Sequence, residues 1–381
     1  MKVKNIKWRN VFETIRSEIL LGKFDVRERF PSEVQLCRRF GVSRPTVRLA
    51  LDELKRTGIL EARPGSGTYL SDMARNLTGH LGLIVPGIAS GEIFPPICAE
   101  IARYAREAGY TLIFGDASSK DPKVRARQAI DLARQYADER VAGVFLEPIE
   151  LVPGAAETTE KILTILSDHN MPVVLLDRDV VPPPDRSGYD LVGIDNVQAG
   201  YRLARHLIDC GARRICFFMR VGSAPTVSLR IQGARGAVLD AGLPWASASV
   251  CVAEIGDAEP IKKLVGGRCL PDAFICGNDA TAAALLQTLN SLGKQVPRDF
   301  LLAGFDDVKI ATLTSPPLTT IRQPCDLIAR AAVDTLLTRL RDPSLPPREV
   351  LLDVSLVVRH STVSRVCADQ RFRAGRNPIP L

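Results

Sequence analysis

This 381-residue chain predicts two structures in series. A small winged helix-turn-helix head, α-helical with a two-stranded β wing, comes first. A larger α/β domain of two lobes follows. Three observations carry the expectation. Two short helices meet across a glycine between Pro31 and Arg48, apolar runs alternate with amphipathic helices from His80 onward, and positive charge gathers at one end. Residues 1–72 hold 15 Lys and Arg against 9 Asp and Glu, a net +6, while the rest hold 35 against 34, a net +1. A basic footprint confined to one small domain fits a chain that meets a polyanion at one end only.

The head opens with a helix over Trp8–Leu21, whose Val11, Phe12, Ile15, Ile19 and Leu20 share a face, stopped by Gly22. Ser32 is placed to cap the next helix, which carries Val34, Leu36 and Phe40 and ends at Gly41. Ser43 then caps a third helix, with Pro45 in its first turn, where a missing N–H costs nothing. In that helix Val47, Ala50, Leu51 and Leu54 recur at i, i+3, i+4, i+7 and form the packing stripe. Arg44 and Arg48 stand four apart on the exposed face beside Thr46, the layout of a helix-turn-helix reading head. Ile59–Ala62 and Thr68–Leu70 flank the turn Arg63-Pro64-Gly65-Ser66-Gly67 as a hairpin. Its tip, with Arg63 and free N–H groups, suits phosphate or minor-groove contact.

The stretch PSEVQLCRRFGVSRPTVRLALDELKRTGILEARPGSGTYL closely resembles the winged-helix head of the GntR family of bacterial transcription regulators, over residues 8–70. The resemblance implies that Arg44, Thr46 and Arg48 face the major groove and backbone of operator DNA, and that the Pro64–Gly67 turn approaches the minor groove. The expected DNA-contact set is therefore Ser32, Ser43, Arg44, Pro45, Thr46, Arg48, Arg63, Gly65, Ser66 and Gly67. Val34 departs from the family pattern, which often places an arginine or other polar residue there.

Polar residues 73–79 read as a linker, 1–72 as the head, 80–365 as the lobes and 366–381 as a disordered tail. In the lobes the strands Leu81–Val85, Tyr110–Phe114, Val141–Leu146 and Val173–Leu176 alternate with helices over Ile97–Ala108, Val124–Ala137 and Ile162–His169. A second series sets strands Leu191–Ile194, Arg214–Phe218, Ala273–Cys276 and Leu301–Gly304 against helices Ala199–Cys210, Ser228–Ala241 and Ala280–Leu292. Repeated β/α units imply parallel sheets covered by helices, with ligands bound beyond the carboxyl ends of the strands. Those ends carry Asp177-Arg178-Asp179, Asp195-Asn196, Gly277-Asn278-Asp279 and Asp306-Asp307. Carboxylates, amides and an arginine around one cleft suit a polyhydroxylated ligand, since each hydroxyl needs a donor and an acceptor. Asp195 and Asn196 read as caps of the following helix; Asp177, Asp306 and Arg230 read as ligand contacts.

This half resembles the effector domain of the lac/galactose-repressor family, related to periplasmic sugar-binding proteins, over residues 80–362. MPVVLLDR, DNVQAGYRLARHLIDCGARRI, GNDATAAAL and GFDD…SPPLTTIRQP carry the likeness. It implies that Asp177, Arg230, Asn278 and Asp306 line a sugar site with Phe94 packed on the ring. It also implies three crossings between lobes, near Tyr189, near Ile321–Gln323 and near Val354, with the helix Asp326–Leu340 returning to the first lobe. The family's minor-groove hinge helix between head and lobes has no counterpart here; the wing stands in its place.

The function expected is a ligand-responsive transcription regulator, a repressor acting as a homodimer on double-stranded operator DNA, with a monosaccharide or derivative as effector. A purine or other metabolite is the alternative effector. An enzyme fused to the head is disfavoured: P-loop, dinucleotide, HExxH and GxSxG signatures are missing, and Asp177 with Asp179 makes a weak glycosidase pair. No cofactor or metal is expected, because the nine cysteines are scattered without ligand spacing. No apolar run nears ~18 residues, and MKVKNIKWRN lacks a signal-peptide core, so a cytoplasmic protein without a membrane partner is expected.

Overall fold

The computed structural model describes residues 2–20, 23–24, 28–71, 79–86, 88, 93–150, 152–246, 249–254, 256–267 and 270–363. The expected linker, apart from Gly79, and the expected tail lie outside these residues, as do Leu21 and Gly22.

The head holds helices α1 (Lys2–Leu20), α2 (Glu33–Phe40) and α3 (Arg44–Arg56) and the hairpin β1 (Leu60–Arg63) and β2 (Gly67–Leu70). Helix α1 starts six residues before the expected Trp8, because polar residues extend a helix whose packing face is already anchored. Val11, Ile15 and Ile19 meet Leu36, Val47, Ala50 and Leu54 in one small core. Helix α2 begins with a capping box: Ser32 Oγ accepts from Gln35 N, while Gln35 Oε1 accepts from Ser32 N at 2.8 Å. Gly41 closes it at φ +61°. Two expectations change here. Val34 is 45% exposed and stays out of the core. Ser43 occupies the cap position, but its hydroxyl bonds Thr46 Oγ1 at 2.9 Å and caps no backbone N–H.

The first lobe contains β3 (His80–Ile84), α4 (Phe94–Glu107), β4 (Thr111–Phe114), α5 (Pro122–Asp138), β5 (Gly143–Leu146), α6 (Ala155–Asp168), β6 (Val173–Leu176) and β7 (Asp190–Ile194). The second contains α7 (Asn196–Asp209), β8 (Ile215–Met219), α8 (Pro225–Asp240), β9 (Val250–Val252), α9 (Ala258–Gly266), β10 (Ala273–Cys276), α10 (Asp279–Ser291), β11 (Leu301–Asp306), α11 (Lys309–Leu313) and β12 (Thr319–Arg322). Helix α12 (Cys325–Arg341) and β13 (Glu349–Leu352) return to the first lobe, and β14 (Ser355–Val357) rejoins the second. The sheets run β13-β7-β6-β5-β3-β4 and β14-β12-β11-β10-β8-β9, parallel throughout except at β14. Their central strands are buried on both faces, which is why the sequence reads there as unbroken apolar runs.

The first crossing is a correction. Leu191–Ile194 opened the second series in the sequence reading, with the crossing near Tyr189. Instead β7 pairs with β6, Leu175 facing Leu191, so the chain leaves the first lobe after Ile194. A strand buried on both faces carries no periodicity that assigns it to one sheet or the other. The other two crossings lie where expected, at Gln323 and between Leu352 and Ser355. Helices α7 and α8 touch backbone to backbone. A Cβ on Gly200 would lie 2.0 Å from the Arg230 carbonyl oxygen, and one on Gly233 1.8 Å from that of Val197.

Candidate functional site

Two candidate sites are built on this frame. On the head, Arg44 and Arg48 project from the first turns of α3 with side chains 69% and 72% exposed. The sequence reading missed their shared partner. Glu33, in the first turn of α2, approaches Arg44 Nε at 3.3 Å and Arg48 Nε at 3.6 Å. Its carboxylate thus holds both guanidinium groups together in the free protein. The only sequence signal was an acid directly after a cap, which reads as ordinary helix-dipole compensation. Pro45 and Ser32 are exposed beside them, and Thr46 is half-buried. At the wing, Gly65 and Gly67 take φ +72° and +124°. Ser66 Oγ meets Tyr69 Oη at 2.8 Å, and Arg63 lies 4.6 Å over the Tyr69 ring while pairing with Glu61 at 2.8 Å. Arg63 is therefore held along the hairpin rather than beyond its tip.

The second site lies between the lobes, at the carboxyl ends of β5, β6, β8, β10 and β11. A cavity of about 50 Å³ there is lined by Phe94, Asp177, Arg230, Asn278 and Asp306 together. A recess of about 670 Å³ adjoins it and shares Glu150, Arg178 and Arg220 with it. Asp177 and Asp306 sit in left-handed backbone at φ +70° and +105°. Non-glycine residues adopt that conformation at a cost of about 1–3 kcal/mol each, and such strain gathers at binding sites.

Each lobe contributes one buried arginine with its acceptors already gathered. On the first-lobe side Arg178, 4% exposed, donates to Asp177 Oδ2 at 2.9 Å, Glu147 Oε1 at 2.7 Å and the Pro148 carbonyl at 2.6 Å, with Glu150 at 3.7 Å. Burial opposes the Arg178 charge, yet the carboxylates around it hold its pKa above the ordinary value. Burial also lifts the Glu147 carboxyl to about 8, and its Oε2 has no hydrogen-bond partner. On the second-lobe side Arg230 donates to Asn196 Oδ1 at 2.8 Å and the Gly277 carbonyl at 2.7 Å. It stacks 4.6 Å over Phe305 and reaches Asp306 at 3.7 Å. Burial raises the Asp306 pKa against the pull of Arg230, and Asp177 and Glu150 of the first lobe add to the rise. Carboxylates from both lobes thus confront one another across the gap.

Several sequence expectations shift with this geometry. Arg230 does not open its helix: α8 starts at Pro225, which puts Arg230 in the second turn with two of its donors, Nε and one Nη1 hydrogen, already bonded. Asn278 faces the cavity but also caps α10, its Oδ1 accepting from Thr281 N at 2.9 Å. Asp195 caps α7, whereas Asn196 steers Arg230 instead of capping. Asp179 bonds the backbone of Val180 and Ser187, a loop role that leaves Asp177 without a carboxylate mate there. Glu147, Arg220 and Gln323, whose amide donates to Asp306 at 2.8 Å, were not anticipated. Arg178, expected among the polar strand-end groups of the cleft, is instead the buried partner of Asp177, Glu147 and Glu150.

Fold and sites together define a DNA-binding transcription regulator with a ligand-binding effector domain. The comparisons give the particular combination. Residues 7–70 match the family described as bacterial regulatory proteins, gntR family, and residues 204–362 match the periplasmic binding protein-like domain. The arabinose metabolism transcriptional repressor of Geobacillus stearothermophilus is 29% identical over 95% of this chain and 99% of its own. The ribose operon repressor of Escherichia coli K12 is 26% identical over 75% of this chain and 83% of its own. Among solved structures, the transcription regulator GntR from Chromobacterium violaceum superposes with a TM-score of 0.58 at 28% identity, covering 74% of this chain and 99% of its own. Among the described residues no helix is long and apolar enough to cross a membrane.

Proposed function

We propose that the chain represses sugar-use genes as a homodimer, reading operator DNA with Arg44, Thr46, Arg48 and the wing and sensing a small sugar in the cleft. The observation that carries the sensing half is that Asp177 and Glu150 of the first lobe line one cavity with Asp306 of the second. Carboxylates facing each other through a narrow gap need hydrogen-bond donors between them, and sugar hydroxyls supply these without adding negative charge. The names of the relatives, arabinose and ribose repressors, agree with that chemistry. At about 50 Å³ the gap holds a water or two of ~30 Å³ each, so a sugar enters only when the lobes part toward the adjoining recess. Lobe movement is then transmitted to the head, and the affinity for DNA changes. Two heads on paired half-sites explain why the working unit is a dimer.

The test is a thermal-shift screen of neutral monosaccharides, L-arabinose and D-ribose included, followed by gel-shift titration of an operator selected from random DNA. One sugar is expected to raise the melting temperature and to change operator affinity at the same concentration, and to be recovered unchanged. A chain that binds DNA but answers to no neutral monosaccharide refutes the sensing half. A chain that selects no operator refutes the reading half.

A further inference from the structure

A cavity of about 1040 Å³ separates the head from the first lobe, far from the cleft. Its head wall is α1 and the end of α3; its lobe wall is formed by the segments that precede the strands, with the end of α12. Arginines stand on both walls, Arg9, Arg16 and Arg56 on one side and Arg140 and Arg341 on the other, against the carboxylates of Glu13, Glu53 and Asp342. Glu13 is taken by Arg16 at 3.4 Å and Glu53 by Arg56 at 2.7 Å, while Asp342 accepts from the Ser344 hydroxyl and backbone. Among the described residues neither Arg9 nor Arg341 has a carboxylate within ion-pair distance. Each wall carries one more arginine than carboxylate, and among the described residues Arg16 Nη2 reaches across the gap to Tyr110 Oη at 3.5 Å. Arg16 and Arg341 line the same cavity as the phenol, and their charge pulls the Tyr110 pKa down against the rise from burial. The phenol is a neutral donor whose hydrogen is left for an acceptor. Trp8 and Phe12, edge to face with centroids 6.4 Å apart, add an aromatic wall.

We propose that this junction is a second ligand site, distinct from the cleft, and that it takes a nucleotide. Phosphates between Arg9, Arg16 and Arg341 neutralise the excess positive charge of both walls. The base packs on Trp8 and Phe12, and the cavity has room for both parts at once. A bound nucleotide ties the head to the first lobe and so makes head placement depend on a signal other than the sugar. The two sites share no lining residue, so both can be filled at once.

The full chain with Trp245→Phe leaves Trp8 as the only tryptophan and makes its fluorescence a reporter of the junction. ATP is the probe, with adenosine, ribose 5-phosphate and inorganic phosphate as separate arms. ATP is expected to quench Trp8 saturably, and more weakly as salt rises. The Arg9→Ala, Arg341→Ala double variant is expected to weaken ATP at least tenfold. Both arginines are surface-exposed, and an unchanged melting temperature verifies the fold. In Arg44→Ala, Arg48→Ala, ATP affinity is expected to stay unchanged, which separates the junction from the DNA-reading face. The proposal is overturned if ATP gives no saturable quench, if adenosine or ribose 5-phosphate binds as tightly as ATP, or if the double variant binds ATP as the parent does.

Discussion

Replacing Arg230 with alanine tests the second-lobe half of the cleft most directly, and the structure makes the outcome larger than lost ligand contact. Arg230 is 4% exposed, gives two hydrogen bonds to Asn196 and Gly277, and is the cation nearest the buried Asp306 at 3.7 Å. Its removal leaves Asp306 with one donor, the Gln323 amide, and with Asp177 and Glu150 raising its pKa. Breaking a buried pair from one side costs about 3–5 kcal/mol, mostly for the charge left behind. Arg230→Ala should therefore lower stability by that amount as well as silence the effector response. In Arg230→Ala, Asp306→Asn the stranded charge is gone, so the double variant should recover about 1–3 kcal/mol relative to the single. Urea unfolding followed by Trp245 fluorescence in a Trp8→Phe background reports on the core cluster against which Trp245 packs. A single variant within about 1 kcal/mol of the parent, or a double variant no more stable than the single, would refute the pairing.

Three further outcomes follow from the geometry. Glu147 is held protonated to about pH 8 by burial, while its unfolded carboxyl ionises near pH ~4.3. Between those values the folded state binds the extra proton, so stability falls as pH rises through that window; Glu147→Gln should flatten that slope in pH-dependent urea titrations, and an unchanged slope refutes it. Gly233→Ala must move the Val197 carbonyl away from 1.8 Å, at an overpacking cost of about 1–3 kcal/mol against a helix-propensity gain of about 1 kcal/mol; calorimetric melting together with effector titration checks that both stability and binding fall, since α7 carries Asn196, the Arg230 partner. Arg44→Ala and Arg48→Ala should each weaken specific operator binding by about 1–3 kcal/mol at matched salt; wild-type affinity in either variant would remove α3 from the groove.

The head was legible almost residue by residue, because caps, a glycine stop and a packing stripe are local signals. The lobes were legible as a class but not in their seams. Strand β7 was assigned to the wrong lobe, since Leu191–Ile194 is buried on both faces and its partner is set by long-range packing. The three-residue strands β9 and β14 lie at sheet edges with mixed burial and carry too little pattern to be read. In the cleft, carboxylates at strand ends were found because they interrupt apolar runs. Their mutual bonding was not, and so Arg230 looked like a free donor when two of its hydrogens are already given to Asn196 and Gly277. Glu147 sits inside FLEPIE, where nothing in the local text marks a buried acid.

The chain leaves the first lobe after Ile194 and comes back only at Cys325, and this has a consequence for the order in which the protein is made. On the ribosome the head can fold once its hairpin, ending at Leu70, has emerged. The first lobe cannot be completed then, because α12 packs against α4 and β13 forms the outer edge of its sheet beside β7. Until residues 325–352 appear, β7 is an edge with unpaired backbone groups, and Ile101 and Ala105 lack part of their cover. The second lobe, synthesised in between, waits for less: β14 and the hydrogen bond from Ser361 Oγ to the Leu302 carbonyl. A nascent chain stalled near residue 320 therefore exposes a folded head beside an unfinished first lobe, and is the species most in need of chaperone protection during synthesis.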